Sequence, residues 1–131
     1  MEYQKRFVRF DIFVRRHPSL SVEKFHDYWS NIHAPLIKHW LQRHGVYRYT
    51  QYHTPPLMRE QYFGGAEGVH TLDFDGHGEV LVEDPDTLKA LIEDPYFKDV
   101  VEPDEERFID KASRRRTVGY EEIWVRDGKV V

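Results

Sequence analysis

The chain has no cysteine. Disulfide frameworks, thiolate metal sites and cysteine nucleophiles are therefore excluded. It also lacks any stretch near the roughly 20 apolar residues that a membrane helix needs. Met1–Arg6 has no apolar segment behind its basic residues, so no export signal is expected. An intracellular, cytoplasmic protein with no membrane partner is the default expectation. A cationic surplus is missing too: Lys and Arg number 19 against 23 Asp and Glu, for a formal net charge of -4. Nucleic-acid-binding domains usually present a basic face, so no nucleic-acid partner is expected. The one basic run, Arg114-Arg115-Arg116, reads as a solvated stretch ahead of a final strand.

Nucleotide and metal signatures are absent as well. Gly64-Gly65-Ala66-Glu67-Gly68 lacks the Lys-Ser/Thr of a phosphate loop and the spacing of a dinucleotide fold. No Gly-x-Ser-x-Gly elbow occurs. Eight histidines are many for this length, but His26/His33 and His39/His44 do not have the i, i+4 spacing of helical zinc ligands. No metal and no cofactor is expected.

What is present is a core and many rings. The 131 residues suit one domain over 1–131. With 8 Phe, 8 Tyr and 3 Trp, they supply aromatics for a core and for a pocket that takes flat ligands. Residues 6–15 read as a strand with Val8, Phe10, Ile12 and Val14 on one face. Phe7, Arg9, Asp11 and Phe13 share the other face. Ser21 suits a helix N-cap. Val22, Phe25, His26, Trp29, Ile32, His33 and Leu36 follow helical spacing. Pro35 is expected to interrupt or restart that helix, which ends at Gly45. A second strand runs from Val46 to His53. Residues 55–68 read as a long loop, and His70 to Val82 as a third strand bulged at Gly76-His77-Gly78. A helix from Asp84-Pro85-Asp86 passes through Leu88, Leu91 and Ile92 to Pro95, with further helical turns over 96–109. Val118 to Val125 is the last strand, and Asp127-Gly128 a terminal turn. The order β-α-β-β-α-β is α+β and ferredoxin-like, with both helices on one face of an antiparallel sheet. The bare face then calls for cover, and self-association supplies it most simply.

Phe25-His26-Asp27-Tyr28-Trp29-Ser30-Asn31-Ile32-His33-Ala34-Pro35-Leu36 resembles the signature of the EthD family. Phe74-Asp75-Gly76 with Glu79-Val80-Leu81-Val82 is similar to that family's third strand. Glu93-Asp94-Pro95-Tyr96-Phe97 is similar to its loop after the second long helix. Within the family, the chain is similar to small fungal proteins of aromatic polyketide pathways. Those are described as decarboxylases or dehydratases acting on anthrone- or anthraquinone-type intermediates such as atrochrysone carboxylic acid. The resemblance implies a dimeric α+β barrel, a homodimer whose subunits each hold a pocket between sheet and helices. It implies a cofactor-independent lyase for a small aromatic polyketide. Cyclases of the same fold use a histidine after the second helix. Phe97 stands at the matching place, so that chemistry does not transfer unchanged.

His33 is the first catalytic candidate, because imidazole exchanges a proton near neutral pH. His26 lies on the same helix face, with Trp29 between them as a wall for a flat substrate. Arg9 is placed to grip a carboxylate if its face looks at the helices, with Asp11 orienting it. If that face looks at a partner subunit, the pair instead makes bonds between subunits. Tyr49 and His53, with Tyr47 and Gln51, line one side of the second strand and suit hydrogen bonds to a polyphenol. Asp75 matches a family position and also suits a turn. In this scheme Arg9 grips, His33 is the general acid, and His26 or a strand tyrosine assists. A cyclase, a cofactor-free monooxygenase or a non-catalytic ligand-binding dimer would use the same pocket.

Overall fold

A computed structural model of the protein describes residues 7–131. The expected start of the first strand at Arg6 lies outside the described residues. Strand β1 (Val8–Val14) is central. It pairs antiparallel with β3 (Gly76–Val82) on one side and β4 (Arg115–Tyr120) on the other. Strand β2 (Arg48–His53) pairs with β3, giving the order β2-β3-β1-β4. That is the ferredoxin-like arrangement expected from the order of elements. A short hairpin, β5 (Val125–Arg126) with β6 (Lys129–Val130), follows. Its turn at Asp127-Gly128 has both φ values positive, at 53° and 75°, the geometry that Asp-Gly favours in tight hairpins.

Ser21 caps helix α1 (Val22–Tyr28), its side chain accepting from the Lys24 amide at 3.1 Å. The helix is not interrupted at Pro35. It continues through a π turn (Trp29–His33) into α2 (Ala34–Arg43). The Ala34 amide bonds back to the Trp29 carbonyl, one residue further than in an α-helix. A proline in an α-helix removes a donor and crowds the preceding turn; the extra residue relieves that crowding. The same device recurs in the second helical layer. After α4 (Asp86–Glu93), a π turn (Phe97–Val101) enters α5 (Glu102–Phe108) just before Pro103. π turns often mark functional positions, and both of these border the cavity described below.

Three expectations are corrected. Residues 55–68 are not all loop, because helix α3 (Pro56–Phe63) occupies most of them. Pro56 sits in its first turn, where its missing N–H costs nothing. No α3 residue is buried, so the segment carries no core periodicity. The third strand begins at Gly76 and pairs without a bulge through Val82. The last strand lies earlier than expected, at Arg115–Tyr120.

Two apolar clusters anchor the helices to the sheet. Val14, Phe25, Trp29, Phe108 and Ile109 form one. Ile37, Trp40, Leu41, Leu91 and Val101 form the other. Full burial of a ring such as Phe25 stabilises by about 2–3 kcal/mol. Gly76 lets the first cluster reach the sheet: a Cβ there would lie 2.6 Å from Trp29 Cζ3 and would also strike the Tyr52 carbonyl. No helix among the described residues is long and apolar enough to cross a membrane.

Candidate active site

Between the two clusters lies a cavity of about 180 Å³. Its floor is the helix-facing side of the sheet, with Phe10, Ile12, Tyr49 and Val80. Its roof is Trp29, Ile37, Trp40 and Phe97. Phe97 stacks on Trp40 with centroids 5.9 Å apart. Ile92 and Arg116 border the cavity and are exposed, which puts its mouth beside them.

Few polar groups enter this space, and His33 and Glu105 among them are tied to protein partners. His33, at the end of the first π turn, is 4% exposed. Its Nδ1–H donates to Asp104 Oδ2 at 2.7 Å, and Asp104 is 2% exposed. The Tyr28 hydroxyl donates to the other oxygen of Asp104 at 2.5 Å. With Nδ1 committed, Nε2 is the ring nitrogen left for the cavity. Burial lowers the His33 pKa below its usual value, and Asp104 opposes the shift without reversing it. The resting imidazole is therefore neutral near pH 7, a base rather than an acid. One residue on, Glu105 Oε2 accepts from Arg114 Nη1 at 2.8 Å. Burial raises the Glu105 pKa, and Arg114 pulls it back. Arg114 and Arg116 both line the cavity.

His26 and His53 meet elsewhere, on the far side of Trp29. Their Nδ1 atoms are 2.7 Å apart, and His53 packs against the Trp29 ring at 4.5 Å. Burial lowers both pKa values; His26 lowers that of His53 further, while Asp75 raises that of His26. Neither lines the cavity of His33. His53 instead borders a second space of about 500 Å³ beneath α3, with Phe13, Tyr52, Phe74 and His77. The second space is larger, but it holds no buried acid–base pair.

Arg9 and Asp11 are on the face away from the helices, so neither lines the cavity. Arg9 Nη2 donates to Asp11 Oδ2 at 2.9 Å, and the guanidinium also bonds Glu79 and Glu121. Asp11 and Glu79 hold it more firmly protonated than usual. Asp11, His77 and Glu79 offer ligand atoms within 4.8 Å of one another. Arg9 already supplies the cation for both carboxylates. Asp75 is buried and brackets the chain: it accepts from the Arg16 amide at 2.7 Å and lines neither cavity. Tyr47 packs on Phe7 outside the cavity.

Of the candidates read from the sequence, His33, Trp29 and Tyr49 share the cavity. Asp104, Glu105, Arg114 and Trp40 were missed. The first three sit in Pro103-Asp104-Glu105-Glu106 and in a basic run, both of which look like solvated charge. Only their partners reveal that they point inward.

The comparisons agree with this architecture. The profile of the EthD domain matches residues 17–112. The decarboxylase claH of Passalora fulva is 32% identical, over 98% of this chain and 84% of that protein. The dehydratase aurZ of Gibberella zeae is 31% identical, over 87% of this chain and 76% of that protein. A dimeric protein of unknown function with a ferredoxin-like fold, from Bacteroides fragilis, superposes with a TM-score of 0.60 at 10% identity. The match covers 92% of this chain and 100% of that one.

Proposed function

This chain belongs to the EthD domain family, and from that premise we propose that it is a polyketide lyase whose proton-transferring group is His33. The relatives named decarboxylase and dehydratase support the reaction class. The observation that carries the reading is the buried His33–Asp104 pair, with its remaining nitrogen on an aromatic cavity. The substrate in this reading is a flat aromatic acid of the anthrone or anthraquinone type, and no cofactor takes part.

A neutral imidazole changes the expected role of His33. In a dehydration, Nε2 takes the proton next to a ketone and an enolate forms. Asp104 stabilises the imidazolium, which returns the proton to the departing hydroxyl, and water leaves. In a decarboxylation, the substrate carboxylate beside Nε2 favours the imidazolium form. The C–C bond breaks, CO₂ leaves, and the electron pair moves to the ketone oxygen. Nε2 then delivers its proton to that enolate. Arg116, at the mouth, takes the gripping role first considered for Arg9. Arg114 is already paired with Glu105. The apolar walls favour charge dispersal in either case.

The active form in this reading is a homodimer. On the far face of the sheet, α3 lies against the end with Phe13, Tyr52 and His77, whereas the part with Arg9 and Glu79 is left for a partner subunit, and the Bacteroides fragilis protein is described as dimeric. Sedimentation at micromolar concentration tests it, and a monomer would sink the dimer. The lyase is tested by anaerobic incubation with a β-keto aromatic polyketide acid and a chelator, followed by mass spectrometry. Loss of CO₂ or of water with the wild type, and not with His33→Ala, is the expected result. Turnover that survives His33→Ala would refute the assignment.

A further inference from the structure

A chain of polar side chains runs from His26 to the cavity, and its donors all point one way. The fixed point is Gln51. Its nitrogen lies 3.1 Å from the Trp29 backbone carbonyl, which only accepts, so this end of the amide is the NH₂. The second N–H donates to the Tyr49 hydroxyl oxygen at 3.1 Å. Gln51 Oε1 therefore faces His53, whose Nε2–H donates to it at 3.2 Å. The Ser30 hydroxyl, 3.4 Å from the same nitrogen, is a weaker neighbour. A neutral His53 with hydrogen on Nε2 has a bare Nδ1. The partner of that lone pair at 2.7 Å is His26 Nδ1, which must carry its hydrogen. His26 Nε2 is then bare, buried and without a partner, as an acceptor at the closed end of such a chain would be.

The open end is Tyr49. Its oxygen is an acceptor for Gln51, and its own hydrogen has no protein acceptor among the described residues. Tyr49 lines the same cavity as His33. Gly78 presents no side chain against it: a Cβ there would lie 3.8 Å from the hydroxyl. We propose that Tyr49 donates a hydrogen bond to the substrate's reacting carbonyl oxygen, and that Gln51, His53 and His26 are positioning residues that hold its hydrogen toward the cavity. The inference rests on the lyase reading. In either reaction the enolate oxygen gains charge, and a donor already aimed at it stabilises that charge without reorganisation. No proton leaves Tyr49: burial raises its pKa to about 12, so it stays a donor. His33 Nε2 transfers the proton, while Tyr49 holds the oxygen.

Three variants and one probe test this. Tyr49→Phe should lower kcat by about 100-fold and leave KM within about threefold. Gln51→Glu should do likewise at pH 7, because a carboxylate accepts from Tyr49 and draws its hydrogen away from the cavity. As pH falls and the new carboxyl is protonated, it can donate again, and kcat should recover while the wild type does not improve. Gln51→Leu only loosens Tyr49, so its kcat should fall less, and without that recovery. Binding is read with 9,10-anthraquinone-2-carboxylate, through the infrared stretch of its quinone carbonyl. The band should be lowered in the wild type and return in Tyr49→Phe. Nitrogen NMR of the unliganded wild type reads the chain directly, with hydrogen expected on His26 Nδ1 and His53 Nε2. The opposite tautomers, an unshifted carbonyl band in the wild type, or full kcat in Tyr49→Phe would each overturn the proposal. A wild type without turnover but with the expected band and tautomers would count against the lyase reading and for the Tyr49 chain.

Discussion

The two faces of the sheet treat charge in opposite ways. On the helix face, the imidazole–carboxylate pair of His33 with Asp104 is nearly sealed from water. Burial there outweighs the carboxylate and holds the ring neutral. On the far face, Arg9 sits one third exposed among Asp11, Glu79 and Glu121. There the charges reinforce one another, and the guanidinium is held charged. Alternation along β1 separates the two worlds: Phe10 and Ile12 face the cavity, and Arg9 and Asp11 face away. A proton-transfer group needs a pKa that the reaction can move, whereas an anchoring pair needs a charge that does not move. In β1, sequence neighbours one residue apart thus line the cavity and anchor the guanidinium in turn.

The largest effects should come from removing one face's chemistry and sparing the other's. His33→Ala should lower turnover by roughly 10³ and Asp104→Asn by roughly 10², since proton transfer by a positioned group contributes about 10²–10⁴. Arg9→Met should leave turnover within about twofold, as sites without shared partners act independently. Its effect should fall on the dimer, seen as a lower association constant in sedimentation. A large turnover loss in Arg9→Met at concentrations that keep the dimer intact would erase the division between faces.

How far the sequence foretold this division depends on the residue. The strand period separated Arg9 and Asp11 from Val8, Phe10 and Ile12, but not which set meets the helices. That choice depends on how the chain crosses over, which no local pattern encodes. His33, Trp29 and Tyr49 were legible because period and residue type coincided. Asp104 was not, since an acidic residue in the first turn of a helix suits the dipole whether or not it is buried. The π turns were hidden for a related reason: a proline signals a break, and an inserted residue is another way to accommodate it. Helix α3 carried helix-forming residues but no apolar stripe, and the nearby glycines dominated the reading.

The floor of the helix face is sharpened by Gly76. Gly76→Ala would push a methyl into Trp29 and the Tyr52 carbonyl. Overpacking of this kind costs about 1–3 kcal/mol, measured as a lower midpoint in thermal or urea unfolding. Gly78→Ala is the matched control on the same strand. Its methyl would meet the Tyr49 ring at 3.5 Å, an ordinary contact, so stability should hold while cavity volume shrinks. Equal destabilisation by both substitutions would show that Trp29 does not need the bare backbone at Gly76.

The smallest effect separates the faces by pH. His26, His33 and His53, all on the helix side, have lowered pKa values, with burial the leading cause in each. The unfolded chain therefore binds more protons than the folded one once pH falls below about 6.5, the free imidazole value. Their contribution to stability is complete above that pH and is lost as pH drops toward the folded values. Glu79, on the far face, is also lowered, through its bonds to Thr50 and His77 and the charge of Arg9, against the cost of burial. Its contribution is complete above the ordinary carboxylate range and fades only below it. Unfolding free energy should thus fall in two stages on acidification, the imidazole stage first. His33→Gln should shrink the upper stage, leaving the shares of His26 and His53, and spare the lower one, whereas Glu79→Gln should shrink the lower stage and spare the upper. A wild-type curve that stays level between pH 7 and the carboxylate range would mean that these imidazoles are not held neutral by burial, and the basic role assigned to His33 would lose its physical ground.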